Sequence, residues 1–170
     1  TTANRVASLE GFVPLLFNGM PNFLDGAWAS HDNPPRTQNQ RDRFDSAENI
    51  VGQLASGAPQ DVLPGDFVMK TGRTTGYTQG AVDAININNL NVDMGAGSIA
   101  RFDGQIQINS LSKVPFSRGG DSGSLIVDTN SEPVGLLFAG SDSGGFENTG
   151  VTWANPIGEV LEQLNLEISI

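Results

Sequence analysis

The sequence predicts an all-β fold that ends in one helix. Three observations carry this prediction: short apolar runs of strand length, clusters of Gly, Asn, Asp and Ser between them, and 21 glycines in 170 residues. Six such runs follow residue 65, at 66–71, 77–88, 98–108, 123–128, 133–140 and 151–154. Their spacing predicts either a closed antiparallel β-barrel or a β-sandwich.

Apolar and polar residues alternate cleanly in AININ and QIQIN, so each of these strands should have one buried and one wet face. The C-terminal helix is predicted with Asn155 as its cap and Pro156 at its first position. Its apolar stripe consists of Ile157, Val160, Leu161 and Leu164.

Two further apolar runs lie at 5–17 and 23–29, and Pro14 makes the first an expected edge strand. The polar, mixed-charge stretch 30–49 is predicted to be an exposed connection between two units. We therefore place one unit at 1–49 and a second, with the barrel and the helix, at 50–170. The segment ENIVGQLA, residues 48–55 across this boundary, is predicted to be either helical or extended.

Composition excludes several classes of function. A net charge of −10 argues against binding nucleic acid, and no run approaches the length of a membrane span. With no cysteine and one histidine, disulfides, a thiolate nucleophile, Cys-ligated zinc and a His-rich metal site are excluded. No cofactor is implied, and the acidic loop 141–148, which lacks EF-hand spacing, is interpreted as solvated rather than calcium-binding. The compartment, cytoplasmic or secreted, is not fixed, and a homo-oligomer is possible.

The motif that carries chemistry is Gly119-Gly120-Asp121-Ser122-Gly123-Ser124, where a turn enters a strand. Glycines allow positive φ angles that can aim successive backbone N–H groups into one concavity. Acyl transfer needs such a concavity, because the oxyanion must meet preorganised donors. Taken alone, the same motif is also an ordinary glycine-rich β-turn.

The surrounding motifs resemble a known family. GDSGSLIV, followed by VGLLFAG and a C-terminal helix, looks like the second barrel of chymotrypsin-like serine peptidases, and MKTGRTTGYTQGAV resembles the first hairpin of that barrel. The combination of KTGRTTG, FSRGGDSGS, GLLFAGS and ANPI is similar to a trypsin-like branch common in bacteria, which includes plant proteins related to the rice leaf-width regulator. The resemblance covers about residues 5–165. It implies a chymotrypsin-like barrel preceded by the last strands of another barrel, and a serine endopeptidase acting on peptides or proteins.

The resemblance implies roles for the residues of the motif. Ser122 matches the nucleophile, and the backbone N–H groups of Gly120 and Ser122 match the oxyanion hole. Asp121 matches a buried aspartate that pairs with a new N-terminus in activated members.

Substrate-binding residues are implied in the same way. Phe138, Ala139 and Gly140 match the strand that holds substrate backbone by β-pairing. Phe116 and Ser117 match the lining of the specificity pocket. Since an aromatic base offers no anionic partner for Lys or Arg, we expect a small or apolar side chain to bind there.

Asp25 matches the aspartate of the catalytic triad. An acid beside Phe23, Leu24, Ala27 and Trp28 is costly to bury unless it is hydrogen-bonded, and orienting a histidine would give it a partner. The alternative interpretation is an aspartate at a strand end that faces water.

The base is the open question. In the family the histidine precedes the aspartate, whereas His31, the single histidine, follows Asp25. If 25–31 is extended, the two residues lie about 20 Å apart, beyond hydrogen-bond reach. The neighbours Asp32, Asn33 and Arg36 indicate a solvated loop, so His31 is expected to be solvent-exposed, the alternative being a relocated base. We therefore expect the histidine on an upstream segment of the same protein, separated by processing or autolysis. That N-terminal fragment should stay bound, because two strands without their barrel expose apolar edges.

Other hypotheses stay open at this stage. A Ser–Lys dyad could use Lys113, one of two lysines, the other being Lys70. Thr1 could act as an N-terminal nucleophile, although that class of hydrolase has α/β layers. A different class is a catalytically inactive, peptidase-like module used for binding or assembly.

Overall fold

The computed structural model describes residues 7–31, 42–44 and 50–168, which form a largely β structure with one helix, α1 (Ile157–Leu164). The strands in chain order are β1 (Ala7–Phe12), β2 (Pro21–Asn22), β3 (Ala27–His31), β4 (Asp42–Phe44), β5 (Ile50–Gln53), β6 (Phe67–Gly72), β7 (Gly76–Ile87), β8 (Leu90–Asp93), β9 (Ile99–Phe102), β10 (Gln105–Ser110), β11 (Leu125–Asp128), β12 (Pro133–Gly140) and β13 (Val151–Pro156). The predicted all-β fold with a C-terminal helix is confirmed.

Six strands close into a barrel in the order β10-β13-β12-β11-β6-β7, and every neighbouring pair is antiparallel. Of the two predicted architectures, the barrel is therefore the one that forms. Closure removes most of the unpaired strand edges that an open sheet would expose, but β12 extends past β11, which pairs with it only as far as Leu136. The barrel interior is filled by apolar side chains: Val62, Val68, Val82, Ile106, Ile108, Phe116, Ile126, Val134, Leu137 and Ala154.

The run at 98–108 is two strands rather than the single strand predicted. The chain turns at Asp103 and Gly104, where Gly104 has φ +80° and donates its N–H to the Asn88 side chain. As a result β10 joins the barrel, whereas β9 joins a separate small sheet between β2 and β8. β8 is short and was not predicted.

The two predicted N-terminal strands pair with each other, but their bounds differ from the prediction. β1 ends at Phe12 and β3 begins only at Ala27, and the two run antiparallel. The chain between them is held by Asn22, a buried side chain that bonds both backbone groups of Leu16 and the carbonyl of Arg101. The N-terminal segment is thus anchored to the sheet that contains β9.

The predicted boundary between units, at residues 49 and 50, stays a prediction. Most of the polar stretch 30–49 lies outside the described residues. The ambiguous segment ENIVGQLA is extended where it is described, since β5 pairs antiparallel with β4. All six barrel strands lie on the C-terminal side of the boundary.

The C-terminal helix forms as predicted, but its start differs. Asn155 is the penultimate residue of β13 and does not cap α1, and Pro156 stands one position before the helix. Instead of capping, the buried Asn155 side chain accepts from the N–H of Asp25 and donates to its carbonyl. The apolar stripe of α1 packs against Leu24 and against Leu125 and Leu136 of the barrel. Among the described residues, no helix is long and apolar enough to cross a membrane.

Truncating the barrel core should lower stability sharply. Ile108 is fully buried, so Ile108→Ala is expected to reduce the free energy of unfolding by about 2–5 kcal/mol through lost burial and a residual cavity. Urea denaturation monitored by tryptophan fluorescence measures this. The matched control is Leu63→Ala at a side chain that is 66% exposed, which should change the value by about 0.5 kcal/mol or less. Equal losses in both variants would contradict the assigned core.

Candidate active site

Ser122 stands on the loop that connects β10 to β11, at the mouth of a cleft. Its side chain is exposed, and its Oγ lies 3.4 Å from the carbonyl oxygen of Phe138, to which it donates. The cleft has a volume of about 400 Å³ and runs between this loop and the edge of β12. Its lining residues are Val92, Asp93, Met94, Ser117, Arg118, Gly119, Ser122, Leu137, Phe138, Ala139, Gly140, Ser141 and Asp142.

The residue before Ser122 is the most constrained group of the loop. The Asp121 carboxylate is buried and accepts from the N–H groups of Arg118, Thr74 and Thr75 at 3.0, 2.7 and 3.2 Å, and from the Thr75 hydroxyl at 2.7 Å. Burial alone would raise the pKa of Asp121, but the hydrogen bonds outweigh it and hold that pKa below its ordinary value. Asp121 is therefore an anion that ties the Ser122 loop to the β6–β7 turn. We call this loop, between β10 and β11, the nucleophile loop after the role predicted for Ser122.

Lys70, on β6, neutralises this anion. Its side chain is fully buried, its Nζ lies 3.6 Å from an Asp121 oxygen, and it donates to Thr75 Oγ1 and to the Gly76 carbonyl. Burial lowers the pKa of Lys70, and the charge of Asp121 opposes that effect. Sequence reasoning did not assign Lys70 to the site. The signal was present, because in the alternating strand it shares the inward face with Val68.

Two backbone donors face outward next to Ser122. The N–H groups of Asp121, Gly123 and Ser124 are bonded within the protein, whereas those of Gly120 and Ser122 have no acceptor among the described residues. Gly120 has φ +99°, and a Cβ there would collide with the Arg73 guanidinium and with Thr74. A side chain at this position would be strained, so glycine is required here, and the N–H groups of Gly120 and Ser122 are available as donors on the loop of Ser122.

The residues predicted to bind substrate do not all reach the cleft. Ser117, Phe138, Ala139 and Gly140 line it together with Ser122. Phe116 does not, because its ring is 3% exposed and packs in the barrel core below Lys70. The expected place of Phe116 in the lining of a specificity pocket stays a prediction.

The wall behind Ser117 is polar. Its hydroxyl lies 2.6 Å from that of Thr152, which is buried in β13. Sequence reasoning did not single out Thr152, or the acidic residues Asp93 and Asp142 that line the same cleft.

Asp25 does not line this cleft. It follows the buried Leu24 at the start of the segment that leads into β3, and its backbone is held by Asn155. Burial raises the pKa of the Asp25 carboxyl. No hydrogen-bond donor within residues 7–31, 42–44 and 50–168 contacts its carboxylate, and Asp25 is partly exposed, so its role as the triad aspartate stays a prediction.

A general base for Ser122 is absent from the described residues. His31 is the last residue of β3, with its backbone opposite Ala7, and its predicted exposure stays a prediction. Lys113 is 82% exposed and paired with Glu147 at 3.3 Å, so it lacks the burial that a dyad lysine needs. Lys70 is buried but is bound to Asp121. Neither lysine supports a Ser–Lys dyad.

A larger cleft of about 690 Å³ lies between α1 and the barrel, around Ile157 and Ile106. Its lining contains the carboxylates Asp61, Asp103, Glu159 and Glu162, but no serine, histidine or lysine. Within the described part of the chain, no group of three or more His, Cys, Asp and Glu side chains could hold a metal ion. The candidate active site is therefore the smaller cleft at Ser122.

Comparison with solved structures identifies proteins of the same architecture. A chymotrypsin from Cellulomonas bogoriensis superposes with a TM-score of 0.69 at 20% identity, covering 98% of this chain and 77% of that one. A glutamic-acid-specific serine protease, which uses a histidine triad in substrate binding, gives 0.68 at 19% identity, covering 99% and 77%. Protease A of Thermobifida fusca gives 0.62 at 21% identity, covering 88% and 70%. No protein-family profile and no curated protein matches the chain. The superpositions show that the chain has the chymotrypsin-like fold.

Removing the cation under the nucleophile loop should destabilise the protein. Lys70→Met leaves Asp121 buried without its partner, and the expected loss is about 3–5 kcal/mol in the free energy of unfolding. Urea denaturation at pH 7 measures the loss. Lys113→Met, which breaks an exposed pair, is the control and should cost less than about 1 kcal/mol. A Lys70→Met variant as stable as the control would refute the role given to the buried pair.

Proposed function

We propose that this chain is the nucleophile-bearing part of a serine endopeptidase of the chymotrypsin-like family, in the bacterial branch that its motifs resemble. The observation that carries the proposal is an exposed serine hydroxyl with two free backbone N–H groups beside it, all on a loop fixed by a buried ion pair. The architecture supports the same class, since the three structural neighbours described above are serine proteases.

The reaction follows from the positions of these groups. The Ser122 oxygen attacks the carbonyl carbon of a peptide bond while a base removes its proton. The N–H groups of Gly120 and Ser122 stabilise the negative charge that forms on the carbonyl oxygen. The protonated base then gives its proton to the leaving amine, an acyl-enzyme remains on Ser122, and water hydrolyses it in a second, equivalent step.

The base in this proposal is a histidine on a segment outside the 170 residues, carried by an N-terminal fragment of the same protein. The support is twofold. The described residues supply Ser122 with no base, and the Asp25 carboxylate has no donor although burial raises its pKa. A histidine placed between them would take the Ser122 proton and donate its other N–H to Asp25.

Substrate would bind by strand addition along Phe138, Ala139 and Gly140, with its main chain bonded to the β12 edge. The side chain before the scissile bond would enter the cleft toward Ser117. Gly140 and the small residues Ala139 and Ser117 leave space for a small side chain, in keeping with the specificity expected from the sequence.

One observation favours a second candidate function, a catalytically inactive binding module. The only hydrogen bond of the Ser122 hydroxyl among the described residues goes to a backbone carbonyl, which cannot act as a base. Such a module would use the β12 edge to bind an extended peptide without cleaving it.

Covalent labelling separates the two functions. The protein as isolated, with any fragment it carries, should form a fluorophosphonate adduct on Ser122 that intact-mass and peptide mass spectrometry locate. Ser122→Ala should abolish the adduct, whereas Ser124→Ala, two residues along the same loop, should keep it. The absence of any adduct on Ser122 would exclude the endopeptidase. Intact mass after mild denaturation would also show whether a second fragment is bound.

The Asp25→Asn variant should lose activity without losing stability. If Asp25 orients the base, kcat should fall by about 10⁴-fold. Because folding raises the pKa of Asp25, its charge costs stability above that pKa, and the cost disappears as the pH falls below the ordinary aspartate range. The variant should therefore be at least as stable as the wild type at pH 7 and equal to it near pH 3, measured by urea denaturation. A variant that is active, or much less stable at pH 7, would contradict this role.

A further inference from the structure

Most cations whose side chains the structure describes are neutralised by a partner, but two are not. The neutralised ones pair as Lys70 with Asp121, Arg101 with Asp103, and Lys113 with Glu147. Arg73 and Arg118 form no ion pair with a described residue, and both flank the loop of Ser122. In a chain with a net charge of −10, two unpaired guanidiniums at one site point to an anionic ligand.

Arg73 is held in place by the turn on which it stands. This turn, between β6 and β7, makes four hydrogen bonds to the nucleophile loop, three to Asp121 and one from the Thr74 hydroxyl to the Gly119 carbonyl. The exposed Arg73 guanidinium packs against the backbone of Gly120, one of the two free donors. A cation is thereby positioned beside the point where the oxyanion would form.

Arg73 lies beside Gly120 but outside the cleft. The cleft is lined by Arg118, Gly119, Ser122 and the β12 edge, and neither Gly120 nor Arg73 belongs to that lining. If the acyl part of a substrate pairs with β12 inside the cleft, the chain after the scissile bond leaves the cleft past the loop of Ser122. Arg73, beside Gly120 of that loop and outside the cleft, is the cation available to this leaving-group segment.

We propose that Arg73 selects substrates with a carboxylate side chain, Asp or Glu, in the first two residues after the scissile bond. This specificity rests on the proposed endopeptidase function. A guanidinium matches a carboxylate in a two-pronged geometry that lysine cannot reproduce. Arg118 does not offer the same selectivity on the acyl side, because the carboxylates of Asp93 and Asp142 line the same cleft and would repel an anionic side chain bound there.

The test uses internally quenched peptides that are identical before the scissile bond and carry Glu, Gln or Lys after it. With the protein as isolated, including any bound fragment, kcat/KM for the Glu peptide should exceed that for the Gln peptide about fivefold at low salt. Arg73→Gln should reduce this ratio to about one, and Arg73→Lys should retain part of it. Lys113→Gln removes the same charge from an exposed position that does not line the cleft at Ser122, and it should keep the full ratio. A ratio that Arg73→Gln leaves unchanged, or a wild type that prefers the Gln peptide, overturns the inference.

A binding measurement keeps this inference separate from the proposed function. If Ser122 takes no fluorophosphonate and no peptide is cleaved, the endopeptidase fails, and fluorescence anisotropy of the labelled Glu and Gln peptides decides about Arg73. About fivefold tighter binding of the Glu peptide, lost in Arg73→Gln and weakened by added salt, supports a carboxylate site. Equal affinities, or binding of neither peptide, overturn it.

Discussion

The ion pair between Lys70 and Asp121 is the constraint on which the geometry of the site depends. Both side chains are removed from water, so neither charge is tolerable without the other. The pair joins β6 to the nucleophile loop, and the hydrogen bonds from Thr74 and Thr75 fix the orientation of the Asp121 carboxylate. Ser122 directly follows Asp121 in the chain. Anchoring Asp121 therefore restricts the direction of the Ser122 hydroxyl and of the Ser122 N–H group.

The two acids of the site differ in their hydrogen bonding. On the barrel side, every polar group of Asp121 has a partner, and Gly120 is locked between the loop and the β6–β7 turn. On the N-terminal side, the Asp25 backbone is held by Asn155 while its carboxylate has no donor among the described residues. In the proposed function the barrel would supply the oxyanion-binding loop, and Asp25, whose carboxylate has no donor among the described residues, would orient the base.

Much of the fold was predictable because its signals are local. Strand period, turn composition and the helical spacing from Ile157 to Leu164 depend on neighbouring residues alone. The errors fall where a residue distant in sequence determines the local structure. Asn155 bonds Asp25 instead of capping α1. The turn at Asp103 and Gly104, where the Gly104 N–H donates to the Asn88 side chain, divides one predicted strand into two. At the site, the motif located Ser122, Gly120 and Asp121. Lys70 was missed because a lysine on the inward face of a strand becomes meaningful only when its buried counter-ion, 51 residues later in the chain, is known.

The hydrogen bonds that shape the nucleophile loop join residues 45 to 47 positions apart in sequence. They cannot form from local structure, since they require β11 to have found β6 and the barrel to have closed. A nascent or partly unfolded chain therefore carries Ser122 without the loop geometry of the folded protein. If Ser122 is the nucleophile proposed above, reactivity would arise only once the barrel has closed, and unfolded copies of the chain would not cleave one another.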